Sequence, residues 1–325
     1  RWDHGVTLDG ARIGVVGTGS SAVQITGALV DRADQFRLFQ RTPQWVLPVT
    51  NPEIDAEKQA AYRADPSAMA ALRDQLGTMF EEGFANAVVD AESTQVLALQ
   101  KMCEDNLATV ADPDLRRSLR PEYRAACKRL VLSPNFYEAI QRPHAQLVTD
   151  AIVGVEPAGV RTADGTLHEL DVLVLATGFR VDRFLRPMEV IGRDGLRLDD
   201  VWTPRPWAYL SVSVPGFPNL FMLNGPNGPV GNFSLIDVAE LQFDYVMQLV
   251  ELLATGRARE VAPEPEAARR FEECRSEAAA HTIWVTGCRS WYLDDRGLPA
   301  VWPWTFTRFR QEMARPELAH YELVG

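Results

Sequence analysis

The sequence predicts an α/β fold in which helices cover both faces of a parallel sheet and a helical subdomain is inserted. Three observations predict this class. A continuous apolar run at residues 13–16 leads through a glycine-rich turn into a helical pattern. Residues 52–127 become rich in Ala, Glu, Arg and Gln, and short apolar runs return after residue 130. Strands that are apolar throughout are typical of parallel sheets buried on both sides.

Residues 12–42 have the pattern of a strand–helix–strand unit. We expect a buried strand at 13–16, a tight turn, a helix at about 21–32 and a second strand at 36–39. Pro43 ends the second strand, because proline has no backbone N–H to give to a sheet. Two parallel strands that follow each other in the chain need such a crossover helix between them.

The segment 52–127 has the periodicity of helices. Apolar residues recur at helical spacing at Met69, Leu72, Leu76, Met79 and Phe80. The stretch is punctuated by Pro66, Pro113 and Pro121. We therefore expect an inserted helical subdomain. Such an insertion either shapes a substrate cavity or caps the sheet, and the sequence leaves both interpretations open.

Beyond residue 130, short strands and helices alternate. We expect strands at 147–148, 152–155, 170–175 and 220–223, and helices at about 135–142, 235–253 and 267–280. A hairpin over 160–166 should turn at Asp164-Gly165, since Asp-Gly is a strong hairpin signal. The C-terminal part is rich in aromatic residues, for which core packing is the favoured interpretation: Trp284, Trp291, Tyr292, Trp302, Trp304, Phe306 and Phe309.

Composition and charge exclude several classes of function. The 325 residues are 46% hydrophobic and 24% charged, which indicates a globular chain. The net charge of −11 argues against nucleic acid or an anionic membrane as partner, because both would repel the protein as a whole. The four cysteines form no CxxC pair and the five histidines lack metal-ligand spacing, so we expect neither a metal nor a disulfide framework. A cytoplasmic protein is the expectation.

A phosphate-binding turn is predicted between the first strand and the first helix. Gly17-x-Gly19-x-x-Ala22 stands between a buried strand and a helix start, the context of the Rossmann fingerprint. Gly17 permits the tight turn, and Gly19 lets a diphosphate approach the backbone. The helix N–H groups and the positive end of the helix dipole would meet that anion.

The end of the second strand distinguishes between the nicotinamide cofactors. NAD enzymes place an acidic residue there to bind the ribose 2′-hydroxyl, whereas this chain has Gln40-Arg41-Thr42. The guanidinium of Arg41 suits a 2′-phosphate, which a carboxylate would repel. NADP(H) is therefore favoured over NAD(H), although Arg41 on its own is also compatible with a solvated charge at a strand end.

Four sequence blocks together resemble class B flavoprotein monooxygenases. They are Gly17-Thr18-Gly19-Ser20-Ser21-Ala22-Val23-Gln24, Phe39-Gln40-Arg41-Thr42-Pro43-Gln44-Trp45, Lys128-Arg129-Leu130 and Leu175-Ala176-Thr177-Gly178-Phe179. Their order and spacing are similar to those of Baeyer–Villiger monooxygenases, nearest the 4-hydroxyacetophenone monooxygenase branch. The resemblance extends over essentially the whole chain.

The resemblance implies roles for particular residues. The diphosphate and nicotinamide side of NADP would contact Thr18, Ser20, Ser21 and Gln24, and the 2′-phosphate would be held by Arg41, Thr42 and Lys128. Arg129 matches the active-site arginine of the family, which stabilises negative charge on the flavin. Ala176-Thr177-Gly178 matches the strand end that returns toward the flavin domain, and Asn227 lies in a segment, 224–235, that passes the flavin ring.

One part of the family pattern is absent. Class B enzymes begin with a separate strand–GxGxxG–helix for the FAD diphosphate, and their FxGxxxHxxxW signature is represented here only by Trp2-Asp3. The chain begins at Arg1 without a methionine, so we expect a fragment that lacks the N-terminal FAD-binding segment. We also expect it to bind flavin weakly and to be inactive alone.

The resemblance implies a function and leaves an alternative. With FAD, NADPH and O2, such an enzyme converts a small-molecule ketone to an ester or lactone, or oxygenates a heteroatom. A flavin-independent dehydrogenase is disfavoured, because no Tyr-x-x-x-Lys pair stands where a short-chain dehydrogenase needs it. A truncated NADP(H)-binding module without flavin chemistry remains the alternative.

The expected domains follow from these assignments. Residues 10–48 and 128–175 would form the Rossmann-like NADP-binding domain, with the helical insertion at 49–127. Residues 1–9 and 176–325 would form the C-terminal remainder of an FAD-binding and substrate domain.

Overall fold

The computed structural model describes residues 2–231 and 233–325. Arg1, in the predicted segment 1–9, and Asn232, in the predicted flavin-facing segment 224–235, lie outside the described residues. The chain divides into two compact units. The first consists of Arg1–Ile54 and Ala98–Phe179, and the second of Asp55–Leu97 and Arg180–Gly325.

The regular elements alternate along the chain. Up to residue 179 they are β1 (Arg12–Val16), α1 (Ser20–Leu29), β2 (Gln35–Phe39), β3 (Val46–Leu47), α2 (Ala56–Ala64), α3 (Pro66–Phe80), α4 (Thr94–Leu107), α5 (Pro113–Ser118), β4 (Val131–Leu132), α6 (Phe136–Ile140), β5 (Ala145–Val148), β6 (Ile152–Glu156), β7 (Gly159–Thr162), β8 (Leu167–Glu169) and β9 (Val172–Leu175). Beyond it they are α7 (Leu198–Val201), α8 (Leu235–Ala254), β10 (Glu260–Pro263), α9 (Pro265–Ala279), α10 (Phe306–Ala314) and β11 (Tyr321–Val324). Short 3₁₀ segments occupy Val30–Arg32, Arg193–Gly195, Ile283–Val285 and Leu318–His320, and a π-helical segment, Glu81–Ala85, follows α3.

A four-stranded parallel sheet is the centre of the first unit. Its order is β5-β2-β1-β9, so the first strand of the chain lies between the second strand and a strand reached by a long connection. This is the order of one half of a Rossmann sheet, whose ligands bind beyond the carboxyl ends of the strands where the order reverses. The predicted Rossmann-like α/β class is confirmed.

The first strand–helix–strand unit forms because its apolar residues face a common core. Ile13 and Val15 on β1 are fully buried, as are Phe36 and Leu38 on β2. Helix α1 buries Ala22, Val23, Thr26 and Leu29, which recur at the spacing of one helix face. The predicted strands at 13–16 and 36–39 and the helix at about 21–32 are confirmed, with the last helical turn in 3₁₀ form.

An antiparallel meander lies between β5 and β9 in the chain. Its strands have the order β6-β7-β8, and the turn at Asp164-Gly165 joins β7 to β8. Gly165 has a φ of +89°, and the N–H of Thr162 donates to the carbonyl of Thr166 at 3.0 Å. The predicted hairpin is confirmed.

The predicted strand at 220–223 is wrong. These residues form a loop without regular structure. Asn219 and Asn224, on either side of the apolar run, have φ values of +60° and +52°, which an extended strand does not contain. Met222 donates its N–H to the carbonyl of Val212 in an isolated hydrogen bond. The run is apolar because most of its side chains pack in the core, although it pairs with no described strand. Met222 is buried in a cluster with Phe217.

The second unit has an aromatic core. Helix α8 buries Val238, Gln242, Tyr245, Leu249 and Leu252, which recur at helical spacing. They pack with aromatic residues of the C-terminal part, and β10 pairs antiparallel with β11. The helices predicted at 235–253 and 267–280 are confirmed. Trp291 is 45% exposed. Core packing is confirmed for five of the predicted aromatic residues, namely Trp284, Tyr292, Trp302, Phe306 and Phe309.

The predicted helical insertion is divided between the two units. Helices α2 and α3 belong to the second unit, whereas residues 98–127 cluster with the first. Helix α3 has no buried residue, and its apolar Met69, Leu76 and Phe80 are about half exposed. The sequence-based domain boundaries remain a prediction.

The cysteines differ from expectation. Cys103 and Cys274 are free, whereas Cys127 and Cys288 are disulfide-bonded. The expectation of no disulfide framework did not anticipate these two bonded cysteines, because spacing along the chain does not report which thiols form disulfides. None of the described helices combines the length and the apolar character that crossing a membrane requires.

Candidate functional site

The glycine-rich turn is packed against the end of a neighbouring strand. Gly17 has a φ of +124°, a conformation that side chains with a Cβ rarely adopt. A methyl group there would overlap the carbonyl oxygen of Ala176 and stand 3.0 Å from its carbonyl carbon. The Gly17 N–H donates to Phe39 O at 3.1 Å, and the Ala176 N–H donates to Val16 O at 2.9 Å. The turn therefore needs glycine and lies where β1, β2 and β9 end.

The amino end of α1 is open. Gly19 is its N-cap residue, no side chain caps the helix, and no acidic residue lies in the first turn. A Cβ at Gly19 would meet no atom within 4 Å, so the space beside the turn is free. Because the first N–H groups of a helix have no partner within it, this end offers donors and a positive dipole end to an anion. Ser20 is half-buried, and Ser21 and Gln24 are exposed.

A side-chain hydrogen bond joins the turn to the end of β2. The hydroxyl of Thr18 donates to the carbonyl of Thr42 at 2.7 Å. Gln40 is buried, and its side-chain amide donates to Ser118 O at 2.7 Å. Arg41, between them, is exposed. At the end of β2, the side chain of Arg41 is thus exposed, whereas its neighbours Gln40 and Thr42 are held by hydrogen bonds.

A second strand pair brings a lysine to the same place. β3, which follows Thr42 by a few residues, pairs parallel with β4, which follows Lys128. The Val131 N–H donates to Trp45 O at 3.3 Å. Burial, and next the charge of Arg41, lower the pKa of Lys128. Throughout residues 2–231 and 233–325, no carboxylate forms an ion pair with Arg41 or Lys128. The charge of Arg41 thus acts on Lys128, and within the described residues neither cation has a carboxylate in an ion pair.

Arg129 and the end of β9 are accessible. Arg129 is exposed, and so are Thr177 and Gly178, whereas Ala176 is half-buried. Phe179, which follows them, is 93% exposed. The structure places Ala176 against the glycine-rich turn, so the predicted strand-end residues belong to the same edge of the sheet as Gly17.

Asn227 lies in the second unit and is buried. Its side-chain oxygen accepts from the N–H of Ala208 at 3.1 Å, and its amide nitrogen donates to Ala300 O at 3.3 Å. These bonds join two loops, which is a structural use of the side chain. Its predicted contact with a cofactor remains a prediction.

The second unit contains an open cavity of about 580 Å³ beneath α3. Leu72, Leu76 and Phe80 line one wall, and Phe233 and Phe306 line another. Apolar side chains of α3 thus border open space within the second unit. The role of the insertion, as a substrate cavity or a cap, remains a prediction.

One residue near the cations was missed by sequence reasoning. The ring of Tyr123 lies under the ammonium group of Lys128, 4.5 Å from ring centroid to Nζ. The indole N–H of Trp45 donates to the Tyr123 carbonyl at 2.5 Å. A tyrosine five residues before a lysine gives no sequence signal, because only the fold brings their side chains together.

Comparison with known proteins agrees with the fold and the motifs. No protein-family model matches the chain. An uncharacterized monooxygenase of Mycobacterium tuberculosis is 43% identical over 323 residues, 99% of this chain and 65% of that protein. A Baeyer–Villiger monooxygenase of Streptomyces coelicolor is 35% identical over 330 residues, 100% of this chain and 63% of that protein. The chain therefore spans less than two thirds of the length of these relatives.

Solved structures have the same fold. The open crystal structure of cyclohexanone monooxygenase matches with a TM-score of 0.81 and 30% identity, covering 100% of this chain and 68% of that one. Other matching structures of cyclohexanone monooxygenase are bound to NADP+, cyclohexanone or ε-caprolactone. Similarity of this extent in both sequence and structure shows that the chain belongs to the Baeyer–Villiger family of flavin-dependent monooxygenases.

Proposed function

We propose that the first unit binds NADP(H) and serves an NADPH- and FAD-dependent monooxygenase reaction. The substrate would be a small ketone, oxidised to an ester or lactone, or a compound oxygenated at a heteroatom, with O2 as the oxygen source. One observation carries the proposal: a hydrogen bond joins the turn before the open amino end of α1 to the end of β2, which presents Arg41, and the charge of Arg41 acts on Lys128, with no ion pair to a carboxylate for either cation among the described residues.

The residues of the first unit fit NADP(H). The free space at Gly19 and the first-turn N–H groups of α1 suit a diphosphate. Ser20, Ser21 and Gln24 lie on the first turns of the same helix, and Thr18 is oriented by its bond to Thr42.

The cations would hold the extra phosphate of NADP(H). A dianionic 2′-phosphate would relieve the repulsion between Arg41 and Lys128 and would satisfy both. NAD(H) has no group at this position that could do so. The two cations would therefore favour NADP(H) through their attraction for the phosphate, and not by sterically excluding NAD(H).

The flavin side of the reaction is proposed from family membership. FAD, when bound, supplies the oxygen chemistry, and NADPH supplies the hydride. Arg129 is permanently protonated, and in a shielded site its guanidinium would stabilise negative charge that develops during the reaction. Ala176, Thr177, Gly178 and Asn227 are the residues proposed on this side. The cyclohexanone and ε-caprolactone in the related structures support a ketone-to-lactone reaction.

The domain assignment is part of the proposal. Residues 10–48 and 128–175 would form the NADP-binding domain, 49–127 the helical insertion, and 1–9 with 176–325 the FAD and substrate part. The position of Ala176 against Gly17 supports a boundary at the end of β9. The second candidate function is an NADP(H)-binding module without flavin chemistry, for which the support is the glycine-rich turn between β1 and α1, since it suits a dinucleotide diphosphate by itself. Flavin absorbance in the purified protein distinguishes the two.

Calorimetric titration with NADP+ and NAD+ tests the cofactor assignment. We expect NADP+ to bind at least about tenfold more tightly, since charge-assisted contacts to a phosphate contribute about 1.4 kcal/mol or more. Arg41→Glu and Lys128→Glu should each remove this preference while NAD+ binding changes little. Lys101→Glu, an exposed charge reversal in the same unit, is the control and should preserve it. Equal affinity of the unmodified protein for both cofactors would refute the proposal.

A further inference from the structure

Tyr123 lies between the two segments that carry the cations. It belongs to no helix or strand and is half-buried in the connection from α5 to β4. Its ring contacts the ammonium group of Lys128, with Nζ 4.5 Å from the ring centroid. A cation at this distance from an aromatic face is attracted by the negative charge of the ring face. The ring therefore favours one position of the lysine side chain.

The polar groups of Tyr123 hold the other segment. Its phenol oxygen lies 3.0 Å from Pro43 O and 2.8 Å from Gln44 Oε1, and its single proton can be donated to one of them at a time. Burial raises the pKa of Tyr123, so the phenol stays protonated and remains a donor. At its backbone, Tyr123 accepts the indole N–H of Trp45 at 2.5 Å. Three consecutive residues, 43–45, are thus tied to this tyrosine.

These contacts matter because the two cations repel each other. Arg41 is two residues before Pro43, and Lys128 is five residues after Tyr123. The strand pair that connects the segments, β3 with β4, is two residues long on each side. Without further contacts, two exposed or half-exposed cations would separate into solvent, since like charges at short range are destabilising.

We propose that Tyr123 is a positioning residue for cofactor selection, holding Lys128 with its ring and the segment after Arg41 with its hydroxyl so that both cations meet one phosphate. This inference rests on the proposed NADP(H) site and deepens it. Tyr123 itself would not touch the phosphate. Its effect would therefore be confined to the affinity for the cofactor that carries the 2′-phosphate.

Two substitutions separate the ring from the hydroxyl. Tyr123→Phe keeps the ring under Lys128 and removes the hydroxyl that bonds Pro43 or Gln44, whereas Tyr123→Leu removes both the ring and the hydroxyl. Titration of each variant with NADP+ and NAD+ gives the ratio of the two affinities. We expect Tyr123→Leu to lower NADP+ affinity by about tenfold with NAD+ affinity unchanged, because a loosened pair of cations loses part of two charge-assisted contacts. Tyr123→Phe should recover part of that loss.

The control is Tyr137→Leu, which removes another buried tyrosine of the same unit. A merely structural role would change both affinities by the same factor, and this is the result we expect for Tyr137→Leu. The same result for Tyr123→Leu would overturn the inference. If Tyr123→Leu is unfolded by circular dichroism, Tyr123→Phe decides: an unchanged NADP+/NAD+ ratio overturns the inference, and a lowered one supports it. An unmodified protein that shows no preference for NADP+ would instead refute the proposed cofactor.

Discussion

Gly17→Ala tests whether the glycine-rich turn is fixed by the strand end beside it. Two costs are expected from the structure. Holding a residue with a Cβ at a φ of +124° costs about 1–3 kcal/mol. The added methyl group also overlaps the carbonyl oxygen of Ala176, and forcing an extra methyl into a packed site costs about 1–3 kcal/mol. Together they should lower the free energy of unfolding by about 2–6 kcal/mol.

Two matched glycines separate these costs. Gly10 also has a positive φ, +72°, but a Cβ there meets no atom within 4 Å, so Gly10→Ala should show the backbone cost alone, about 1 kcal/mol. Gly19 has an ordinary φ of −74° and free space, so Gly19→Ala should leave stability nearly unchanged. The methyl of Gly19→Ala would nevertheless stand where a diphosphate approaches, and NADP+ affinity should fall.

The assay is urea unfolding followed by circular dichroism, with calorimetric titration of NADP+ on each folded variant. We expect Gly17→Ala to lower stability and Gly19→Ala to lower NADP+ affinity, although both glycines belong to one motif. A Gly17→Ala protein no less stable than Gly10→Ala would show that the contact with Ala176 does not constrain the turn. Unaltered NADP+ binding in Gly19→Ala would show that no diphosphate approaches there.

Two further substitutions test stability. Burial lowers the pKa of His168 below its ordinary value of about 6.5, so the neutral ring contributes stability that is present above pH 6.5 and is lost as the pH falls through the lower folded-state pKa. His168→Gln should therefore reduce the change in the free energy of unfolding, measured with urea, between about pH 7 and pH 5. An unaltered dependence on pH would show that His168 is not its source. Arg275, 1% exposed, binds Glu272 and the carbonyl of Pro299, so Arg275→Met should cost about 3 kcal/mol. Exposed Arg269→Met on the same helix should cost less than about 1 kcal/mol, and equal losses would argue against burial as the cause.

Elements with local signals could be predicted from sequence. The strand at 13–16, the turn after it and helix α1 depend on residues that are neighbours in the chain, and the same holds for the hairpin at Asp164-Gly165. The apolar run 220–223 has the same composition as a buried strand. The predicted strand is wrong because a strand also needs a neighbouring strand to pair with, and the composition of the run does not show whether one is present.

The candidate site could be predicted only in part. The roles of Gly17 and Gly19 follow from the strand–turn–helix context. That the charge of Arg41 acts on Lys128 depends on pairing between two strands 85 residues apart, and these two-residue strands are too short to carry a recognisable pattern. Resemblance to a family suggested the pair, but the contact of Tyr123 with both segments emerged only from the fold.

The hydrogen bonds that continue beyond the strand ends have a thermodynamic consequence. The bonds from Gly17 to Phe39 and from Thr18 to Thr42 fix the loop before any ligand arrives. A loop already held in its bound form loses little conformational entropy on association, so most of the interaction energy would be available as affinity. Discrimination between two cofactors that differ by one phosphate would then be an electrostatic property of a preorganised edge, sensitive to ionic strength rather than to loop closure.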